Sequence, residues 1–351
     1  MPWKGEKDPY KIWLSEIILQ QTRVEQGLAY YQRFIQAFPS VEALAGADET
    51  DVFKLWEGLG YYTRCKNLVA TAKIIAHSLQ GRFPSTYESI LGLKGIGPYT
   101  AAAISSFAFN LPHAVLDGNV FRVLARYFGI STPIDSKAGK ELFFRLSNEL
   151  LDRKYPGIYN QAIMDFGAII CKPQVPLCTS CIMNNHCTAF RENIVQQLPV
   201  KEKSIARKSR WFVYLVLECR NKFYVRKRGP GDIWENLHEF ISIETEGPIL
   251  HDNILSFIRS ANIHEDRPFE LLHVSETYRQ LLTHQIVSAQ FFHLKIEQPV
   301  QITGYELLSE SAIRKLPFPK FTRNYLKDKN VSLNSFHTKK NQPLIELITI
   351  I

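Results

Sequence analysis

LKGIGPYTAAAI, residues 93–104, sets two glycines two residues apart in a tight turn and then starts a helix at Pro98, where a missing N–H costs nothing. The backbone N–H groups of such a turn, placed against a helix N-terminus, can receive a phosphate without any basic side chain. A run of small residues from Ala101 to Ala103 lets that helix pack closely against a neighbour. Taken alone, the Gly-x-Gly also suits a plain joint between two helices. With a helical pattern before it and small residues after it, the stretch reads as a helix-hairpin-helix DNA motif.

Working outward, the apolar period is helical from Asp8 to about Phe190, with segments near 9–21, 24–37, 48–57, 64–80, 86–91, 98–108, 119–128, 138–150 and 158–170. Gly and Pro clusters punctuate them, which predicts a compact, mainly α domain over 1–190. The period then lapses. Residues 191–209 carry a crowd of Lys and Arg and read as a basic interdomain linker. Beyond it, WFVYLVLEC (211–219), KFYVRKR (222–228), HEFISIE (238–244), FELLHVSETY (269–278) and IVSAQFFHLKI (286–296) read as strands, with one helix at 249–261. This predicts a separate α+β domain over 210–325. Residues 326–351 read as a basic, flexible tail.

The 351 residues are 45% hydrophobic, enough for two or three domains, and the net charge of +8 favours a polyanionic partner. No run of about 18 apolar residues occurs and the start shows no export signal, so a cytosolic protein with no membrane association is expected.

Two carboxylates carry the chemical argument. In WLSEIILQQT (13–22), Glu16 shares a helix face with Ile12, Trp13, Leu19 and Gln20. A carboxyl held there loses hydration, which raises its pKa and makes a general acid. The bland alternative is a Glu reaching from a helix edge to solvent. In LDGNVFRVLARYF (116–128), Asp117 lies just before a helix whose N-cap reads as Asn119, and helix N–H groups there favour the ionised carboxylate. Simple capping explains Asp117 equally well. Together the two are pushed apart in pKa, as an acid and a charge stabiliser are in glycosidic cleavage. Nucleobase removal from DNA is one such reaction, and Gln20, Gln21 and Tyr99 are then candidates to line a pocket or wedge into the vacated stack.

Four of six cysteines, Cys171, Cys178, Cys181 and Cys187, follow the spacing C-x6-C-x2-C-x5-C. In a reducing compartment this argues for a metal centre, with an iron–sulfur cluster favoured and structural zinc the rival. Cys65 and Cys219 stand alone and read as core residues.

WLSEIILQQT, GLGYYTRCKNL, LKGIGPYTA, LDGNVFRVLAR and the four cysteines, in that order, resemble the MutY-type adenine DNA glycosylases of the endonuclease III superfamily over about residues 2–190. The resemblance implies two helical lobes flanking a DNA cleft, a [4Fe-4S] cluster on the four cysteines, and removal of adenine mispaired with 8-oxoguanine or guanine in double-stranded DNA by a monomer. It implies that Glu16 is the acid at adenine N7 and Asp117 the carboxylate facing the cationic sugar. Asn119 and Tyr99 match pocket residues, and Gln21, Gly95, Gly97, Arg64, Trp3 and Gln161 match positions near bound DNA. Bifunctional relatives carry a Schiff-base Lys where this chain has Tyr99, which implies no backbone cleavage.

The second domain is similar, more loosely, to the family's Nudix-like module. IWENLHEF (233–240) echoes its core motif, but no Glu-rich catalytic helix follows. The recognition loop that often reads Phe-Ser-His is here Leu282-Thr283-His284, so Thr283 and His284 are the expected lesion contacts. Relatives also carry a helix before the Pro-Trp at which this chain starts, which an upstream start codon would explain. Two rivals stand beside this reading: a DNA lyase, which needs the missing Lys, and a non-enzymatic iron–sulfur DNA-binding protein, which leaves Glu16 and Asp117 unexplained.

Overall fold

The computed structural model describes residues 3–202, 206–249 and 268–328. The chain divides into two units, Met1–Leu55 with Thr63–Ser204, and Trp56–Tyr62 with Ile205–Ile351.

The first unit is helical. Its elements are α1 (Pro9–Leu19), α2 (Val24–Ala37), α3 (Val41–Gly46), α4 (Glu49–Trp56), α5 (Tyr62–Lys73), α6 (Tyr87–Leu91), α7 (Pro98–Phe109), α8 (Gly118–Phe128), α9 (Lys137–Leu150), α10 (Pro156–Ile169) and α11 (Thr188–Arg191). A short π-helical piece, Ile74–Ser78, extends α5. Polar caps set several of the starts. Asp8 accepts from the Tyr10 N–H, Ser40 from Ala43, Thr86 from Ser89 and Ser136 from Gly139.

Two helices lack a wet face. Tyr10 and then every residue from Ile12 to Ile18 of α1 are buried, and so is Thr100 to Ser106 of α7. Such helices belong in the middle of a unit. Accordingly α1 packs on α2 and α7, while α10 packs on both α7 and α8. Ala102, Ala103, Val115, Val120, Leu124 and Phe143 form a core there. Cys65 is fully buried, as expected of a small core residue.

Within the expected linker 191–209, residues 193–200 are held in the helical core. Leu198 is buried in the helical core, with Ile194, Val195 and Val200 packed beside it. The Arg126 guanidinium donates to the carbonyls of Val195 and Leu198, and the Ile134 N–H to that of Val200. This stretch has no apolar period because it is irregular, and tertiary contacts fix it instead.

The second unit is built on a mixed sheet. Strand β1 (Lys208–Cys219) pairs in parallel with β7 (Gln285–Ile296) along its whole length, from Lys208 opposite Gln285 to Cys219 opposite Ile296. Antiparallel partners β2 (Lys222–Lys227) and β4 (Ile241–Thr245) flank β1, and β5 (Phe269–Val274) and β6 (Tyr278–Leu281) flank β7. Strands β3 (His238–Glu239) and β8 (Glu306–Ser309) complete it on β2. Alternation along β1 buries both faces. Val213, Leu215, Leu217 and Cys219 pack with Phe292 and Leu294 on one side. On the other, Tyr214 and Phe291 stack with Phe321 and Tyr325 of a helix over Lys320–Lys327.

The strands read at 211–219, 222–228 and 286–296 therefore hold, whereas HEFISIE and FELLHVSETY, each read as one strand, divide into β3 and β4 and into β5 and β6; β8, α3 and the helix over Lys320–Lys327 went unread. The helix read at 249–261 lies almost wholly outside the described residues, as does the tail beyond Asp328. No helix among the described residues is long and apolar enough to cross a membrane.

Candidate active site

Glu16 sits in the middle of the wholly buried α1, with 9% of its surface exposed, so the solvent-reaching alternative fails. Burial pushes its carboxyl from an ordinary 4.5 up to about 7; a hydrogen bond from Tyr99 of α7 opposes this and the nearby Asp117 charge adds to it. Tyr99 is driven well above its usual range, first by burial and then by the same two carboxylates, so it is a neutral phenol and a donor. Its hydroxyl also lies 3.6 Å from the Met164 sulfur of α10.

Asp117 reaches this group from the start of α8. It is the N-cap itself, where the sequence pointed to Asn119, because Gly118 already begins the helix. One carboxylate oxygen accepts from the N–H groups of Asn119 and Val120, both at 2.8 Å, and the other from the Asn119 side-chain amide at 2.7 Å. Capping and the approach to Glu16 are thus one arrangement, and three donors hold the carboxylate in place.

Arg122, which the sequence reading missed, orients Asn119. Its buried guanidinium donates to the Asn119 side-chain oxygen at 2.9 Å, to the Gly167 carbonyl at 2.7 Å and to the Cys171 carbonyl at 2.7 Å. The Asn119 amide nitrogen is thereby turned toward Asp117. Gly167 permits this closeness, since a Cβ there would meet the Asn119 Cβ at 2.7 Å. A cation amid the apolar residues of VFRVLARYF was a readable signal, of the same kind as Glu16.

The remaining residues expected near DNA are placed by the turns. Gly95 has φ +79°, and a Cβ on it would come within 2.6 Å of Asn67, so the hairpin needs glycine there. Gly97 caps α7, and a Cβ on it would enter open space. At the far end of α1, the Gln20 amide donates to Thr100 at 3.2 Å, while Gln21 is exposed with φ +54°. Arg64 donates to the carbonyls of Ile17, Ile18 and Gln20, closing the α1 C-terminus and fixing where Gln21 emerges. Trp3 packs edge-on against Tyr31. Gln161 donates to Asp165, which also pairs with Lys4. Neither of these two lies in the Glu16 group.

Cys171, Cys178, Cys181 and Cys187 line one cavity of about 430 Å³, mouth included, walled by Val123, Phe166, Ile170 and Leu177. Among the described residues no group of three or more His, Cys, Asp or Glu is placed to hold a single metal ion. Arg126 donates to the Cys171 sulfur at 3.4 Å and the Met183 N–H to the Cys181 sulfur at 3.4 Å, while the Cys187 thiol donates to the Arg126 carbonyl at 3.5 Å.

In the second unit, Thr283 and His284 form the turn between β6 and β7, with His284 exposed. The Thr283 hydroxyl lies 2.7 Å from that of Tyr61, and Tyr61 is half exposed with φ +50°. Tyr61 too went unread, although an aromatic residue just after Gly58-Leu59-Gly60 and outside any apolar period was there to be noticed.

The HhH-GPD superfamily base excision DNA repair protein model matches residues 14–147, and a NUDIX domain model matches residues 212–328. The adenine DNA glycosylase of Buchnera aphidicola subsp. Baizongia pistaciae is 38% identical over 264 residues, 75% of this chain and 73% of that protein. That of Arabidopsis thaliana is 31% identical over 88% of this chain and 52% of its own length. A thermostable thymine-DNA glycosylase is similar in structure, with a TM-score of 0.51, 30% identity, and coverage of 55% of this chain and 88% of that one. With a helical base-excision-repair unit followed in sequence by a Nudix-like unit, and with relatives this similar along most of their length, the chain belongs to the adenine DNA glycosylase family.

Proposed function

We propose that this DNA glycosylase removes adenine paired with 8-oxoguanine or guanine, with Glu16 as general acid. The observation that carries the reading is a carboxyl buried beside Tyr99 and Asp117 and raised to about 7, which leaves about half of it protonated at neutrality. The adenine is flipped out of the duplex, and Glu16 gives its proton to the ring. The C–N bond breaks, its electron pair leaves with the base, and positive charge develops on the sugar carbon. Asp117 faces that charge and Tyr99 and Asn119 hold the carboxylates, after which water adds to the sugar carbon and gives up its proton to the ionised Glu16. Tyr99 offers no amine to form a Schiff base, so the product is an abasic site in an intact strand.

Gly95 and Gly97 of the hairpin receive a phosphate, and Gln21 enters the stack. Trp3, Arg64 and Gln161 support the surface along the DNA. Thr283 and His284 read the base opposite adenine. Cys171, Cys178, Cys181 and Cys187 would hold a [4Fe-4S] cluster. Four cysteines that line one cavity, in the spacing C-x6-C-x2-C-x5-C, support that centre over structural zinc. When bound it would fasten the 171–187 segment, and through the Cys171 carbonyl it would steady Arg122.

Single-turnover excision on duplexes carrying 8-oxoguanine:A, G:A and T:A tests the reading. Adenine should be released from the first two, faster from the first, and not from the third. Equal release from all three would overturn it.

A further inference from the structure

The Tyr99 hydroxyl has one proton and two acceptors within reach, the Glu16 carboxyl and the Met164 thioether at 3.6 Å. It can donate to only one at a time. When Glu16 is ionised, the charged oxygen is the better acceptor and the phenol proton points at it. When Glu16 carries its proton, that O–H needs an acceptor of its own. Asp117 is already turned to Asn119 and Val120. The Tyr99 oxygen is then the acceptor at hand, provided its own proton has somewhere else to go.

We propose that Met164 is a positioning residue whose sulfur receives the Tyr99 proton, so that Tyr99 accepts from protonated Glu16 and keeps the acid loaded for transfer. This rests on the reading of Glu16 as the acid. A thioether suits the role because it accepts weakly and never donates: it gives the phenol a second orientation without outbidding an ionised Glu16. The groups bearing on Glu16 are Tyr99 from α7 and Asp117 from α8, while the Arg64 guanidinium at the α1 C-terminus is turned to the carbonyls of Ile17, Ile18 and Gln20. Asp165, next to Met164 on α10, is engaged by Lys4 and Gln161.

The test compares Met164→Leu, which keeps the volume and removes the acceptor, with Met164→Gln, which keeps length and offers a carbonyl oxygen. The readout is the pH profile of excision. Met164→Leu should move the alkaline limb down by about 0.5–1 pH unit, the worth of one neutral hydrogen bond, and leave the rate at pH 5.5 within about twofold. Met164→Gln should keep the limb in place. In a Tyr99→Phe background Met164→Leu should add nothing. An unmoved limb in Met164→Leu, or equal shifts in Leu and Gln, would overturn the proposal. Glu16→Gln separates the two failures. If it is inactive while Met164→Leu is unshifted, only the role of Met164 falls; if it excises at the wild-type rate, the acid assignment falls as well.

Discussion

Each unit buries a glutamate, and the two are treated in opposite ways. Glu239 in the sheet unit, 1% exposed, is held by Arg226 at 2.9 Å, by Arg228 and by the Ser242 hydroxyl at 2.8 Å. Arg228 is in turn tied to Asp232, and Asp232 to Arg210 and so to Glu244. Every charge there has an opposite. Glu16 in the helical unit receives a phenol and a second carboxylate, and nothing that favours its ionised form strongly enough to offset burial. Paired, a buried carboxylate is an anchor. Left without a cation, it keeps a proton to give away.

The contrast can be broken at either end. Glu16→Gln keeps shape and removes the transferable proton, so excision should fall by about 10²–10⁴-fold while duplex binding persists. Single-turnover kinetics with a binding assay checks both halves. Glu239→Ala leaves Arg228 with Asp232 alone and should cost about 1–3 kcal/mol in denaturant unfolding of the sheet unit. Asp117→Asn removes the charge facing the sugar and should slow excision by about 10²–10³-fold. A rate within twofold of wild type would leave Asp117 as a helix cap only.

A smaller effect sharpens the comparison through the pH dependence of stability at Glu16. Folded Glu16 holds its proton up to about pH 7, whereas the unfolded chain releases it near 4.5. Between those values the folded state binds more protons, so its stability falls as pH rises through that window and is flat above it. Glu16→Gln should therefore stabilise the helical unit by about 2–3 kcal/mol at pH 8 and by nothing at pH 4. Thermal melts at both pH values read this directly. Destabilisation at pH 8 would mean that Glu16 is a paired anchor like Glu239.

Much of this site was legible because it breaks local rules. Glu16 stood out against Ile12, Trp13 and Leu19, and Gly95 announced a positive φ before α7. The apolar period carried the long helices, and β-branched and aromatic runs carried β1 and β7. What failed was whatever depends on contacts distant in sequence. Asp117 and Asn119 are both good caps, and only the start of α8 at Gly118 decides between them. Residues 193–200 have no period and are fixed by Arg126 and Ile134. Arg122 and Met164 matter through what they touch across helices, Asn119 and Tyr99, which no spacing along the chain reveals.

The claim that Glu16 is an acid held ready by burial is tested most directly by the pH dependence of excision at subsaturating duplex, which reports the groups of the free protein. The account predicts a rate that is level below pH 7 and falls about tenfold per unit above it, with the turning point near the value of about 7 that burial gives Glu16. A rate that stays level to pH 9, or that rises through neutrality, would contradict it.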